Sequence, residues 1–189
     1  MKIGLVLAGG GGKGAYELGV WKALDELKLT KYITVFSGTS IGAFNSVLFA
    51  MNDMKKADEL WEEVTMDKLV PVSKSELIKR GIGLYIGGKN LQLAKKFLNY
   101  KLEHGAIAND GAIEVVEKYL DFNKIKENNK ICYAACTKLS DFSAKYFKIN
   151  DFDEETGKKI VLASASLPLI YDCTEVLGEK YIDGGIADN

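Results

Sequence analysis

The sequence predicts an α/β fold, a three-layer α/β/α arrangement around a mostly parallel central sheet. Two successive strand–helix patterns at the amino-terminal end carry this prediction. Residues 2–8 (KIGLVLA) are apolar after the first lysine, as expected for a strand buried on both faces of a parallel sheet, and the helical pattern GAYELGVWKALDELKL follows. A second apolar strand, YITVFSG, leads into a second helix that begins near Ile41.

The rest of the chain alternates less regularly. Helices are predicted for MKKADELWEEV, for DGAIEVVEKYL with Asp110 near its start, and for TGKKIVLASASL, which Pro168 stops. The segments KICYAACTKL, AKYFKI and KYIDGG are predicted to be strands. The length of 189 residues suits a single domain covering residues 1–189.

Charge and hydropathy argue against a nucleic-acid partner and against a membrane-spanning segment. The net charge is −1, and Arg80 is the only arginine, so we expect no nucleic acid to bind. Residues 32–52 carry no charge and are long enough to span a bilayer, but the polar turn at 37–42 interrupts them. We recognise no signal peptide or transmembrane segment, which predicts a cytoplasmic or peripheral membrane location.

The cysteines predict neither a disulfide framework nor a metal site. Cys132 and Cys136 lie four residues apart in one predicted strand, and Cys173 stands alone. An odd, sparse set of this kind is typical of buried thiols. A metal would need more ligands than these thiols and His104, the single histidine, supply.

The first strand ends in a glycine-rich loop, residues 9–14 (GGGGKG). The loop satisfies the dinucleotide pattern G-x-G-x-x-G, but the second strand ends in FSGTS, without the acidic residue that would bind a ribose. A Walker loop would need Ser or Thr after Lys13, where Gly14 stands. Free backbone N–H groups would equally stabilise an oxyanion that forms only during a reaction.

The second strand ends in a pentapeptide that matches the nucleophile elbow, G-x-S-x-G. It consists of Gly38, Thr39, Ser40, Ile41 and Gly42. The glycines leave room for a sharp strand-to-helix turn, and the helix N-terminus directs its free N–H groups at the serine. An ordinary glycine turn is the alternative, but the position between a strand and a helix favours the elbow.

A nucleophilic serine needs a base, and the sequence offers two candidates. His104 lies between a helix and a loop, where a surface histidine is the more ordinary interpretation. Asp183 follows a predicted strand in YIDGGIADN, although Asp-Gly alone also marks turns. Burial would raise the pKa of Asp183 and make the carboxylate a better base.

Four segments together resemble the signature blocks of patatin-like phospholipases. They are GLVLAGGGGKGAYELGVWKAL, FSGTSIGAFNSVL, LASASLPLIY and YIDGGIADN, in the family's order. They reach from Gly4 to Asn189, whereas residues 52–130 carry no recognised signature. The resemblance implies a patatin-like fold and a Ser–Asp dyad, with Ser40 as the nucleophile and Asp183 as the general base.

The resemblance also implies the remaining site residues. The backbone amides of Gly10, Gly11 and Gly12 would form the oxyanion hole, and Lys13 matches a basic position of the family that would brace the loop. Supporting motif positions would be Gly9, Gly14, Gly38, Gly42, Gly184 and Gly185. The implied reaction is hydrolysis of fatty acyl esters of phospholipids or related lipids at a membrane surface, through an acyl-enzyme and without a metal or cofactor.

Other interpretations stay open at this point. They are a nucleotide-binding Rossmann-like protein, a non-catalytic lipid-binding scaffold, and acyl transfer to an acceptor other than water. Residues 77–88 (LIKRGIGLYIGG) are predicted to be a lid or membrane-touching loop, or an ordinary surface connection. The family's domain normally continues past its D-G-[AG] motif, but this chain stops six residues after Asp183. We therefore expect a longer protein, or a partner that covers this end.

Overall fold

The structure is a computed structural model that describes residues 2–64, 103, 110–168 and 170–189. The predicted lid at 77–88 and the candidate base His104 lie outside the described residues.

The described part of the chain forms one six-stranded sheet. Its strands are β1 (Ile3–Leu7), β2 (Ile33–Thr39), β3 (Ile131–Lys138), β4 (Ala144–Lys148), β5 (Thr174–Val176) and β6 (Glu179–Asp183). Strands β1, β2 and β3 are parallel neighbours. Strands β4 and β6 join β3 antiparallel, and β5 pairs antiparallel with β6. The strands β1, β2 and β3 thus form the parallel part of the sheet.

Six α-helices are described. They are α1 (Gly14–Glu26), α2 (Ile41–Ala50), α3 (Met54–Glu63), α4 (Asp110–Tyr119), α5 (Phe122–Glu127) and α6 (Glu154–Ser164). Aspartates 53, 121 and 153 cap α3, α5 and α6 by accepting backbone N–H groups of the first turn. Every helix in the described ranges is too short or too polar to cross a bilayer.

The strand and helix predictions are confirmed within the described residues, apart from details. The segments predicted to be strands become β1, β2, β3, β4 and β6, and the five predicted helices become α1, α2, α3, α4 and α6. Helix α6 ends at Ser164, before Pro168. Strand β5 and helix α5 were not predicted, because each is short and lacks a clear hydrophobic period.

Helix α2 lies at the centre of the core. Nearly all its residues are buried, and Phe49 stacks on Trp21 of α1 with 5.0 Å between the ring centroids. Cys132 and Cys136 lie on the face of β3 that contacts α2 and α6. Both are free, buried thiols, as predicted. The apolar run from Ile41 is therefore a core helix rather than part of a membrane span.

Strand β1 is less buried than its sequence predicts. Leu7 is buried, but Val6 is 78% exposed, so the expectation of burial on both faces is wrong. The reason is position: β1 is an edge strand of the described sheet, and Leu7 packs into the core on the face that α2 contacts, whereas Val6 lies on the opposite face. Apolar composition alone does not distinguish an edge strand from a central one.

Two strands share one edge of β3, and this arrangement creates the site. Strand β2 pairs with the first part of β3, ending with Thr39 opposite Ala135. Strand β6 pairs with the rest, and its last residue, Asp183, stands opposite Cys136. Because β4 occupies the other edge of β3 throughout this region, β2 and β6 must meet end to end on the same edge. Ser40, which follows Thr39, is thereby brought to Asp183.

Candidate active site

Ser40 occupies a strained turn between β2 and α2. Its backbone angles are φ 55° and ψ −125°, a sparsely populated conformation that costs about 1–3 kcal/mol. The turn is closely packed: a Cβ on Gly38 would lie 2.1 Å from the carbonyl oxygen of Gly42, and one on Gly42 would lie 2.2 Å from that of Leu7. Both motif glycines are therefore required by the packing of backbone on backbone.

Asp183 ends β6 and is only 4% exposed. Its carboxylate accepts a hydrogen bond of 2.8 Å from the Gly185 N–H, and it lines the same cavity as Ser40, whose side chain is near enough to lower its pKa. Burial raises the pKa of Asp183 above its usual range, and the nearby Ser40 side chain and the Gly185 N–H oppose that effect without cancelling it. A buried carboxylate is a stronger base than one in water.

The turn after Asp183 is held by β3. A Cβ on Gly184 would lie 2.2 Å from the carbonyl oxygen of Ala135, so a larger residue does not fit. The buried hydroxyl of Thr137 donates a hydrogen bond of 2.8 Å to the carbonyl oxygen of Asp183 and accepts one from the N–H of Ala187. Asp183 and Gly184 are thus buried against β3, and the exposed turn begins at Gly185.

The glycine loop lies beside Ser40 and is open. Gly11 has a left-handed φ of 56°, and the short 3-10 helix Gly11–Lys13 leads into α1. Among the described residues, none accepts a hydrogen bond from the N–H groups of Gly10, Gly11 or Gly12. The aliphatic stem of Lys13 packs over Gly10, 2.9 Å from the position of a Cβ there. The predicted loop residues therefore present free donors next to the serine.

The structure adds two contacts to this loop that the sequence patterns do not reveal. The side-chain oxygen of Asn189 accepts the Gly9 N–H at 2.5 Å, which ties the loop to the segment after Asp183. The buried side chain of Asn45 on α2 donates to the carbonyl oxygen of Gly14 at 3.0 Å and accepts from Trp61 at 3.2 Å. A buried asparagine in an otherwise apolar helix is the one sequence signal that pointed to such a role.

A cavity of about 570 Å³ opens at these groups. Apart from the glycine loop, Ser40 and Asp183, its walls are mainly apolar and come from α2, α3, α4, α6 and the residues that follow α3 and α6. They include Phe44, Leu60, Trp61, Val64, Val115, Val116, Val161, Leu162 and Leu167. Of the described residues in the lining, Lys13 and Asp183 are the charged ones. Pockets of roughly 300–1,000 Å³ enclose small-molecule ligands, so this one is large enough for a substrate with a long apolar part.

A family model for patatin-like phospholipases matches residues 5–189 of the sequence. The chain belongs to the patatin-like phospholipase family. The match covers the glycine loop, the elbow and the segment around Asp183 within one alignment, so the patatin-like resemblance of the four sequence blocks is confirmed.

Two fungal lysophospholipases are among the relatives of this patatin-like chain. A 48-residue segment is 52% identical to lysophospholipase nte1 of Aspergillus terreus, covering 25% of this chain and 3% of the relative. Lysophospholipase NTE1 of Chaetomium globosum is 27% identical over 191 residues, which cover 99% of this chain and 10% of the relative. The chain therefore spans a tenth or less of the length of these relatives.

Solved structures show the same patatin-like fold. VipD of Legionella pneumophila matches 100% of this chain and 46% of its own, with a TM-score of 0.62 and 22% identity. ExoU of Pseudomonas aeruginosa, in complex with SpcU, matches 89% of this chain and 39% of its own, with a TM-score of 0.52 and 18% identity. The predicted fold class, a three-layer α/β arrangement with a mostly parallel central sheet, is confirmed by this likeness.

Proposed function

We propose that this chain is a lipid acyl hydrolase of phospholipase A or lysophospholipase type, in which Ser40 is the nucleophile and Asp183 the general base. The observation that carries the proposal is that Ser40 and the buried carboxylate of Asp183 line the same mainly apolar cavity, beside glycine-loop N–H groups from which no described residue accepts a hydrogen bond. The names of the fungal relatives support a lysophospholipid as one substrate.

The acylation step follows from this geometry. The Ser40 hydroxyl transfers its proton to Asp183 as its oxygen forms a bond to the ester carbonyl carbon. The carbonyl oxygen becomes an oxyanion, and the N–H groups of Gly10, Gly11 and Gly12 donate to it; each such donor contributes on the order of 3 kcal/mol to lowering the barrier. The intermediate then collapses, the ester C–O bond breaks, and Asp183 returns the proton to the leaving alcohol.

The deacylation step uses the same groups in reverse order. Water attacks the acyl-enzyme while Asp183 accepts its proton, and a second oxyanion forms in the glycine loop. Ser40 leaves with that proton, and the fatty acid is released. The apolar walls from α2, α3, α4 and α6 would hold the acyl chain, because burying each CH₂ group stabilises the complex by about 0.8 kcal/mol.

We propose peripheral contact with a membrane surface at the rim of the cavity. Leu167 and Ile186 both line the cavity and remain 41% and 52% exposed. Exposed apolar side chains at a cavity mouth would enter a lipid surface and bring the ester to Ser40. The mainly apolar lining does not favour the nucleotide-binding alternative, because a nucleotide would bring a ribose, phosphates and a polar base into the cavity.

The decisive experiment measures release of fatty acid from lysophospholipid micelles by purified variants. Ser40→Ala should lower kcat/KM by at least about a thousandfold, and Asp183→Asn by at least about a hundredfold, because each removes a group that takes part in proton transfer. The control is Asp141→Asn, which removes an exposed carboxylate in the turn after β3 and should leave kcat/KM within about twofold.

Two results would refute the proposal. One is full activity in Ser40→Ala, and the other is lipid binding by the wild-type chain without turnover, which would favour a non-catalytic scaffold. Adding an acceptor alcohol separates hydrolysis from acyl transfer, because a transferase would form the new ester in preference to the free fatty acid.

A further inference from the structure

Helix α6 ends in a serine whose hydroxyl contacts the backbone of the nucleophile. Ser164 Oγ accepts the Ser40 N–H at 2.9 Å and donates to the carbonyl oxygen of Ala135 on β3 at 2.6 Å. The Ser164 side chain is fully buried. It lies in LASASLPLIY, one of the four segments that resemble the family's signature blocks. This segment contains neither member of the proposed dyad and no residue of the glycine loop.

The position of this hydrogen bond matters because Ser40 has a strained backbone. At φ 55° the nucleophile keeps its orientation only while its neighbours hold it there. The glycines of the elbow leave the space for this conformation but supply no attraction. The Ser164 hydroxyl satisfies the N–H of Ser40 and thereby fixes the rotation about the N–Cα bond, which directs Oγ towards Asp183.

The same segment also holds the base. The carbonyl oxygen of Ser166 accepts the N–H of Asp183 at 2.9 Å. Ala135, which accepts from Ser164, stands beside Gly184, the residue that follows the base. The end of α6 therefore contacts the backbone of both members of the proposed dyad, across the point where β2 and β6 meet.

We propose that Ser164 is a positioning residue: its buried hydroxyl holds the backbone N–H of Ser40 and so sets the alignment of the nucleophile with Asp183. This inference rests on the proposed function of Ser40. Ser164 touches no reacting atom and acts through the backbone of Ser40.

The test compares two buried serine-to-alanine substitutions. Ser164→Ala removes the acceptor of the Ser40 N–H, and we expect kcat to fall by about 10- to 100-fold with little change in KM. Ser46→Ala is the matched control, because the Ser46 side chain is equally buried and its hydroxyl has no hydrogen-bond partner in the described part of the chain. The control should keep kcat within about twofold of the wild type.

A pH profile separates positioning from a general loss of structure. The nearby Ser40 side chain lowers the pKa of Asp183, so a misaligned Ser40 leaves the effect of burial less opposed and the pKa rises. The acidic limb of kcat/KM in Ser164→Ala should therefore move to higher pH. Two other titratable groups lie near Asp183, the Cys136 thiol on β3 and Tyr171 in the cavity wall. Burial raises the pKa of both, so both are neutral over the acidic limb and do not contribute to it. Lys13 is the other charged group of the cavity lining.

Labelling with a fluorophosphonate distinguishes the failure of this inference from the failure of the proposed function. If the wild-type chain is not labelled at Ser40, both the proposed function and the positioning role of Ser164 are refuted. If the wild type is labelled and Ser164→Ala reacts at the same rate with an unshifted pH profile, only the positioning role is overturned. Should Ser164→Ala not fold, Ser164→Cys decides, because it keeps the volume but forms weak hydrogen bonds; labelling at the wild-type rate would again overturn the role.

Discussion

The two glycine turns at the ends of β1 and β2 look alike in sequence but differ in what holds them. In the elbow, Gly38 and Gly42 are surrounded by backbone atoms at distances that exclude any side chain. In the loop from Gly9 to Gly14, Gly10 and Gly11 adopt positive φ angles that favour glycine, and no described residue accepts a hydrogen bond from their N–H groups. Glycine serves close packing in the first turn and backbone freedom with open donors in the second. Changes in the first should therefore affect folding, and changes in the second should affect activity.

The largest effect is expected for Gly42→Ala in the elbow. Its Cβ would lie 2.2 Å from the carbonyl oxygen of Leu7 and 2.8 Å from that of Ala8, and neither backbone can move away without separating β1 from α2. We expect the free energy of unfolding to fall by more than about 3 kcal/mol, beyond the usual cost of overpacking. Urea unfolding followed by circular dichroism measures this, and a variant of wild-type stability would contradict the packing argument.

An intermediate effect, a small loss of stability and a larger loss of activity, is expected for Gly11→Ala in the loop. Alanine at a left-handed φ costs about 1–2 kcal/mol, and an open loop can relieve that strain by turning its N–H groups away from Ser40. We expect esterase activity to fall about 10- to 100-fold while the fold is kept.

The matched control for this variant is Gly178→Ala. Gly178 has a φ of 78° in the turn between β5 and β6, with open space around its Cβ position. It should lose a similar stability and keep its activity. Equal activity in Gly11→Ala and Gly178→Ala would contradict the proposal that the N–H groups of the glycine loop stabilise the oxyanion.

The smallest effect is expected for Gly19→Ala, and it is a gain in stability where the other variants lose stability. Gly19 lies on the exposed side of α1, directly after the glycine loop, and a Cβ there meets no atom within 4 Å. Alanine is favoured over glycine in helices by about 1 kcal/mol, which corresponds to a rise in Tm of about 2–4 °C for a chain of this size. Differential scanning calorimetry would reveal the rise, and a lower Tm would show that this helix position is not free.

Local patterns predicted most of the fold and the individual site residues, but not how they meet. The strand ends at Ser40 and Asp183 follow from motif and hydrophobic pattern. That they meet depends on β6 running antiparallel to β3 on the edge that β2 leaves free, which no local pattern encodes. The exposure of Val6 could not be predicted from the sequence for the same reason, because it depends on the position of β1 in the sheet.

The residues that support the site were not predicted from the sequence, because their roles come from tertiary contacts. Ser164, Asn45 and Asn189 each bind backbone groups 31 to 180 residues away along the chain. In the sequence, serine and asparagine are compatible with a helix end, a turn or a surface, so residue type alone selects none of these roles. The buried position of Asn45 within an apolar helix was the clearest available signal, since such a side chain needs partners.

The end-to-end meeting of β2 and β6 on β3 makes assembly of this site an all-or-none event. Side chains alternate between the two faces of a strand, so a slip of β6 by one residue would point the carboxylate away from the cavity altogether. The Thr137 hydroxyl donates a hydrogen bond to the carbonyl oxygen of Asp183 and so stabilises the observed register of β6 against such a slip. Under the proposed mechanism, a chain in which β6 has not yet paired with β3 would not hydrolyse lipids, because Asp183 would not yet lie near Ser40.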